Sequence, residues 1–211
     1  MAGKRVAVLI SGRGSNMTAL IEAAKAADFP ADIALVLSNR PDAKGLETAA
    51  ANGIATAVFD HKAYAGRECF ERAMQAALVA HQIDIVCLAG FMRLLSPWFV
   101  GQWEGRMLNV HPALLPSFKG LHTHERALEA GVKIHGCTVH FVTPGMDEGP
   151  IVAQAALAVA PDDTADTLAA RVLKLEHAIY PRALAWLARP LAQAPAADAP
   201  VGALIGDIGA A

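Results

Sequence analysis

Val6-Ala7-Val8-Leu9-Ile10-Ser11-Gly12-Arg13-Gly14-Ser15-Asn16 is the stretch that sets the class of fold. An unbroken apolar run cut off by a glycine turn suits a strand covered on both faces in a parallel sheet. A helical pattern follows over 17–27, with Leu20, Ile21 and Ala24 on one stripe. Strand, glycine turn and helix start together outline a phosphate site, because first-turn amides point outward unpaired and the helix dipole favours an anion. Gly12 and Gly14 let the backbone come close, and Ser15 and Asn16 can add side-chain donors. Gly-x-Gly alone is a weak signal, since a tight turn capped by Ser15 reads the same way.

Working outward, a second strand over 33–37 ends in Ser38-Asn39-Arg40. It has no carboxylate for a ribose diol, and no third glycine stands near Met17, so a dinucleotide is disfavoured. Gly-Lys-Ser and Gly-Lys-Thr are absent, which removes a Walker loop and leaves a phosphomonoester as the expected ligand. Further strands are expected at 54–59, 83–89, 107–110, 136–142 and 151–159. Helices are expected at 45–52, 64–81, from Pro97, at 125–130 and at 164–187. The sum is an α/β fold, a doubly wound, mostly parallel seven-stranded sheet with helices on both faces. Residues 1–189 read as one domain and 190–211 as an Ala/Pro-rich tail, whose apolar stretch 201–208 could dock or stay loose.

A formal charge of -2 argues against a chain held by nucleic-acid phosphates or an anionic membrane, so a small-molecule partner is expected. Cys69, Cys87 and Cys137 lack Cys-x-x-Cys spacing and read as reduced thiols of a cytoplasmic protein. The apolar run at 6–10 is too short for a signal peptide or a membrane span.

The chemistry concentrates in Met107-Leu108-Asn109-Val110-His111-Pro112. Pro112 stops a buried strand there, and a period of two puts Asn109 and His111 on one face at its tip. An amide donor beside an imidazole suits carbonyl addition, one group holding the growing oxyanion and the other moving protons. Asp147 lies in Thr143-Pro144-Gly145-Met146-Asp147-Glu148-Gly149-Pro150, a turn-rich loop. Folded back on His111, its charge would favour the imidazolium and raise that pKa. Met92, Leu94 and Leu95, just past a central strand, suit an apolar wall for a flat ring as well as they suit core packing. Glu176 reads either as a solvated residue or as an acceptor facing the glycine loop, and Arg67 as an exposed charge near a helix start. His122-x-His124 has no carboxylate or cysteine at ligand spacing, so no metal is expected.

These motifs, with Ala89-Gly90-Phe91-Met92-Arg93, Leu114-Leu115-Pro116, Gly120-Leu121-His122-Thr123-His124, His140-Phe141-Val142 and Glu176-His177-Ala178-Ile179-Tyr180-Pro181, resemble those of the phosphoribosylglycinamide formyltransferase family, folate-dependent enzymes of purine synthesis. The resemblance runs over residues 5–189. It implies that Gly14, Ser15, Asn16, Met17, Thr18 and Glu176 hold glycinamide ribonucleotide. It implies likewise that Arg67, Met92, Arg93, Leu94, Leu95, Asn109 and Val142 hold 10-formyltetrahydrofolate as co-substrate, and that Asn109, His111 and Asp147 are catalytic. A methionyl-tRNA formyltransferase would carry an added RNA-binding domain and a formyltetrahydrofolate hydrolase an added regulatory domain, and the length suits neither. A nucleotide binder without catalysis would bind ribonucleotide or NAD and no folate.

Overall fold

Alternation along β1 (Lys4–Ile10) feeds two cores at once. Val6, Val8 and Ile10 pack with α1 (Ser15–Ala24) and α6 (Ala165–Ala188), while Ala7 and Leu9 pack with Phe70, Met74 and Leu78 of α3 (Arg67–Ala80). A strand buried on both faces reads as continuously apolar, as this one does. The computed structural model describes residues 3–189 and 204–205.

Around β1 lie β2 (Ala31–Ser38), β3 (Ala55–Val58), β4 (Ile85–Leu88), β5 (Met107–His111), β6 (Ile134–Phe141), β7 (Ile151–Ala158) and β8 (Leu204–Ile205). Their order is β3-β2-β1-β4-β5-β6-β7-β8. The first five run parallel, β6 alone is reversed, pairing antiparallel with both β5 and β7, and β8 is parallel to β7. The expected mostly parallel sheet is present with all seven of its strands. The eighth falls within 201–208, where Leu204 pairs with Ala155 and Ile205 with Ala156; the rest of the 190–211 tail lies outside the described residues. Strand order reverses between β1 and β4, and ligands of open α/β sheets bind at the carboxyl ends flanking such a switch point.

The remaining helices are α2 (Gly45–Ala51), α4 (Pro97–Gln102) and α5 (Thr123–Glu129). Several boundaries shift from expectation. The helix expected over 64–81 is present as Arg67–Ala80, starting three residues later: Asp60 caps a separate 3-10 turn at His61–Ala63, and Tyr64–Gly66 link the two. The expected helix over 17–27 starts two residues earlier and stops at Ala24. In α6 the inward positions include Leu168, Val172, Ile179, Tyr180 and Leu184, with Leu175 only half buried. Glu176 sits among them, one turn beyond Val172 and one before Tyr180, and is itself buried.

Candidate active site

At the end of β1 the chain turns through Ser11–Gly14 into α1. Gly14 has φ +72°, and a Cβ there would lie 3.2 Å from Met17 Cε and 3.3 Å from the Gly45 Cα, so a side chain would be strained and would crowd both. Gly45 N–H donates to the Gly12 carbonyl at 3.1 Å and seats α2 against the loop. The first helical bond is Thr18 N–H to the Gly14 carbonyl, 2.9 Å, and no side chain caps the helix. The amides of Ser15, Asn16 and Met17 are therefore the outward-facing donors. The Met17 side chain is fully buried, and the Thr18 hydroxyl donates back to the Gly14 carbonyl, so neither side chain lines the cavity.

That cavity, about 480 Å³, is lined by Ser11–Asn16 together with Asn39, Arg40, His61, Ala89, Gly90, Met92 and Arg93. Three arginines border it; Arg40 is paired with Asp42 at 2.7 Å, and Arg13 and Arg93 leave a positive edge that favours an anion. Behind the loop, Asn16 Nδ2 donates to Glu176 Oε2 at 2.6 Å. Burial pushes the Glu176 carboxyl up, and the Asn16 bond partly offsets it. Asn16 Oδ1 is buried without a hydrogen-bond partner.

A second cavity of about 610 Å³ shares Gly90, Met92 and Arg93 with the first. Leu94, Leu95, Asn109, His111, His140, Val142 and Asp147 line it as well. Met92 is 68% exposed and Leu94 63%, so this segment is wall, whereas Phe91 beside it is buried in the core. Arg67, the first residue of α3, is exposed and lines neither cavity.

Asn109, His111 and Asp147 come together in this second cavity. His111 is 5% exposed; its Nδ1 lies 3.4 Å from Asp147 Oδ2 and its Nε2 3.0 Å from the Phe118 carbonyl. Asp147, at φ +53°, also accepts the Gly120 N–H at 2.8 Å, so the loop carrying Phe118 and Gly120 braces both partners. His140, opposite Asn109 in the β5–β6 pair, is the member that residue reading missed. Its Nδ1 lies 2.9 Å from the Phe141 carbonyl, which only accepts, so Nδ1 carries the proton and Nε2 accepts from Asn109 Nδ2 at 3.2 Å. Burial pushes the His140 imidazole down against weaker pulls from the Phe141 carbonyl and Asp147, keeping it neutral. The Asn109 amide is thereby held by one hydrogen and keeps the other free. The sequence signal was the alternation of Thr138 and His140 along one face of β6.

His124 and His135 face each other, Nδ1 to Nε2 at 3.2 Å, and no group of three metal-binding side chains exists among the described residues. The thiols are free: Cys69 is exposed, while Cys87 and Cys137 are buried, and burial pushes Cys87 up to about 12, which leaves it unreactive. No helix among the described residues is long and apolar enough to cross a membrane.

Residues 4–184 match the formyl transferase family. Phosphoribosylglycinamide formyltransferase of Escherichia coli (strain K12) is 47% identical over 183 residues, 87% of this chain and 86% of that protein. Trifunctional purine biosynthetic protein adenosine-3 of Homo sapiens is 52% identical over 180 residues, 85% of this chain, and the chain spans only 18% of that relative. For the same trifunctional protein of Drosophila melanogaster the span is 14%. The crystal structure of phosphoribosylglycinamide formyltransferase from Brucella melitensis superposes with TM-score 0.86 at 56% identity, covering 92% of this chain and 100% of that one.

Proposed function

The chain belongs to the formyl transferase family, and from that premise we propose that it transfers the formyl group of 10-formyltetrahydrofolate to the amine of glycinamide ribonucleotide, a step of purine synthesis. The observation that carries the reading is the shared wall: an anion cradle and an apolar slot meet at Gly90, Met92 and Arg93, and Asn109, His111 and Asp147 line the slot. The cradle suits the acceptor's phosphate through the Ser15, Asn16 and Met17 amides. Gly14 gives those amides their approach, Thr18 holds the turn, and Glu176, held by Asn16, suits donors on the acceptor's ribose. The slot suits the folate between Met92, Leu94, Leu95 and Val142, with Arg93 at its mouth and Arg67 reserved for the folate's distal carboxylates. No metal enters the reaction as proposed.

The acceptor's amine nitrogen attacks the formyl carbon, the carbonyl oxygen takes up charge, and the bond to the folate nitrogen then breaks. A proton leaves the incoming amine and one reaches the departing nitrogen. Asn109 presents its free amide hydrogen to the oxyanion, aimed by His140. His111 has the Asp147 carboxylate 3.4 Å from one ring nitrogen as a charge partner, and the Phe118 carbonyl 3.0 Å from the other as a hydrogen-bond acceptor. Exchanging the neutral Phe118 carbonyl for the oxyanion brings its Nε2–H to the reacting atoms as donor and proton source. The free thiols fit a reducing compartment, and we assign the protein to the cytoplasm, with residues 1–189 as the formyltransferase unit and 190–211 as an appended tail. Spectroscopic assay of formyl transfer to glycinamide ribonucleotide with purified protein tests the reading: turnover is expected, and folate binding without transfer would overturn it.

A further inference from the structure

Both ends of the 90–96 segment are tied to the protein's interior. At its far end Ser96 N–H donates to Glu71 Oε1 at 2.7 Å, the Ser96 hydroxyl donates to the same carboxylate, and Glu71 is fully buried in α3. At its near end everything passes through Ser11, 6% exposed at the close of β1. The Ser11 N–H donates to the Gly90 carbonyl at 3.1 Å, and the Ser11 hydroxyl oxygen accepts Met92 N–H at 2.8 Å. Since Met92 can only donate there, the hydroxyl's own proton goes to Asn39 Oδ1, 2.5 Å away. That assignment fixes the Asn39 amide too. Its NH2 group lies 3.3 Å from His61 Nδ1, but that nitrogen is 3.1 Å from the Asn39 backbone carbonyl, which only accepts, so it carries a proton and leaves the NH2 group without an acceptor there; both residues line the anion cradle.

From this one-way chain we propose that Ser11 is a positioning residue that couples the two substrates: an acceptor held in the cradle tightens the wall against which the folate lies. The inference rests on the function proposed above. An anion accepting from the Asn39 NH2 polarises that amide, which makes its carbonyl oxygen a stronger acceptor for Ser11 and makes Ser11 a stronger acceptor for Met92 N–H. Ser11 and Asn39 are both buried, where such polarisation is least diluted by water. With Ser96 fixed at the other end, a firmer hold on Met92 restricts the exposed Met92–Leu94 wall and leaves less ordering for the folate to impose. Coupling of this kind is reciprocal, so the folate raises acceptor affinity by the same factor.

The test is calorimetric titration of tetrahydrofolate, which has no formyl group to give, with and without saturating glycinamide ribonucleotide. In the unmodified protein the acceptor is expected to strengthen folate binding by roughly threefold to tenfold. In Ser11→Ala the ratio falls to about one, whatever happens to either affinity alone, and Ser11→Thr, which keeps the hydroxyl, retains it. Asn39→Ala breaks the same chain from its other end and serves if Ser11→Ala does not fold. A ratio that survives both alanine variants overturns the proposal, as does a ratio of one in the unmodified protein while both ligands bind. Failure of the unmodified protein to bind either ligand overturns the functional reading along with it.

Discussion

The two halves of the site are built from opposite materials. The cradle is backbone: amides at the start of α1, a loop closed by Gly14 and Gly45, and the buried Asn16–Glu176 pair behind it, all resting on the core. The slot is side chain and loop, with Met92, Leu94, Leu121 and Met146 half or more exposed around it. Amides at a helix start bind any phosphate presented to them and need no rearrangement, so the cradle is finished before the ligand arrives. Apolar side chains left in water gain their contacts only when something covers them, so the slot is completed by its ligand. Asn109, His111 and Asp147, the reacting groups of the proposed mechanism, line the slot and not the cradle, and the two halves meet at Gly90, Met92 and Arg93.

The largest effect expected is at the polar end of the slot, where Asp147 stands beside His111. Asp147→Asn keeps an acceptor for the Gly120 N–H but replaces the charge 3.4 Å from His111 Nδ1, so turnover should fall by roughly 10²–10⁴ while both substrates still bind. Steady-state kinetics beside calorimetry would check it, and a variant as fast as the unmodified enzyme would remove Asp147 from the mechanism. Next comes the cradle alone. Gly14→Val puts a β-branched residue at φ +72° against Met17 and Gly45, a strain of roughly 1–3 kcal/mol concentrated on the loop, so acceptor affinity should drop about tenfold or more with folate affinity kept. Equal loss of both ligands would erase the distinction between the halves.

How much of this was legible in the chain follows from the same contrast. The cradle was readable because glycine spacing and an unbroken apolar run dictate backbone directly, and Asn109 and His111 because a strand's period of two leaves no choice of face. Glu176 was readable in principle: its spacing from Val172 and Tyr180 puts it on the inward stripe, a position no solvated carboxylate takes. Its burial follows from that spacing. The links made by His140, Ser11, Asn39 and Glu71 were not legible, because each depends on the register between strands or the packing of a helix on a loop tens of residues away. The same holds for Met92 and Leu94, whose apolar character suits core and wall alike until exposure decides.

Beneath the slot, His135 sharpens the comparison through pH. It is 1% exposed against His124, and burial first, then His124 and His111, push it down to about 4 against the Pro112 carbonyl; His124 is lowered as well, again chiefly by burial. Between its unfolded value near 6.5 and about 4, the unfolded chain binds a proton that the folded one refuses, so stability falls as pH falls through that window. Denaturant unfolding should lose roughly 1–2 kcal/mol from pH 6.5 to pH 5, and His135→Gln should flatten that slope. An unchanged slope in the variant would shift the proton uptake to another group.

The smallest effect tests the slot's material. Leu94 is 63% exposed and lines only the slot, so Leu94→Ala removes apolar surface that water already touches in the free protein. Stability should therefore stay within about 0.5 kcal/mol. The folate covers that surface on binding, and losing its burial should weaken folate affinity by about fivefold, close to 1 kcal/mol, with acceptor affinity unchanged. The paired measurement decides between wall and core: a variant that loses stability and keeps folate affinity would make Leu94 a packing residue, and the slot would then owe its apolar face to something other than the exposed segment after β4.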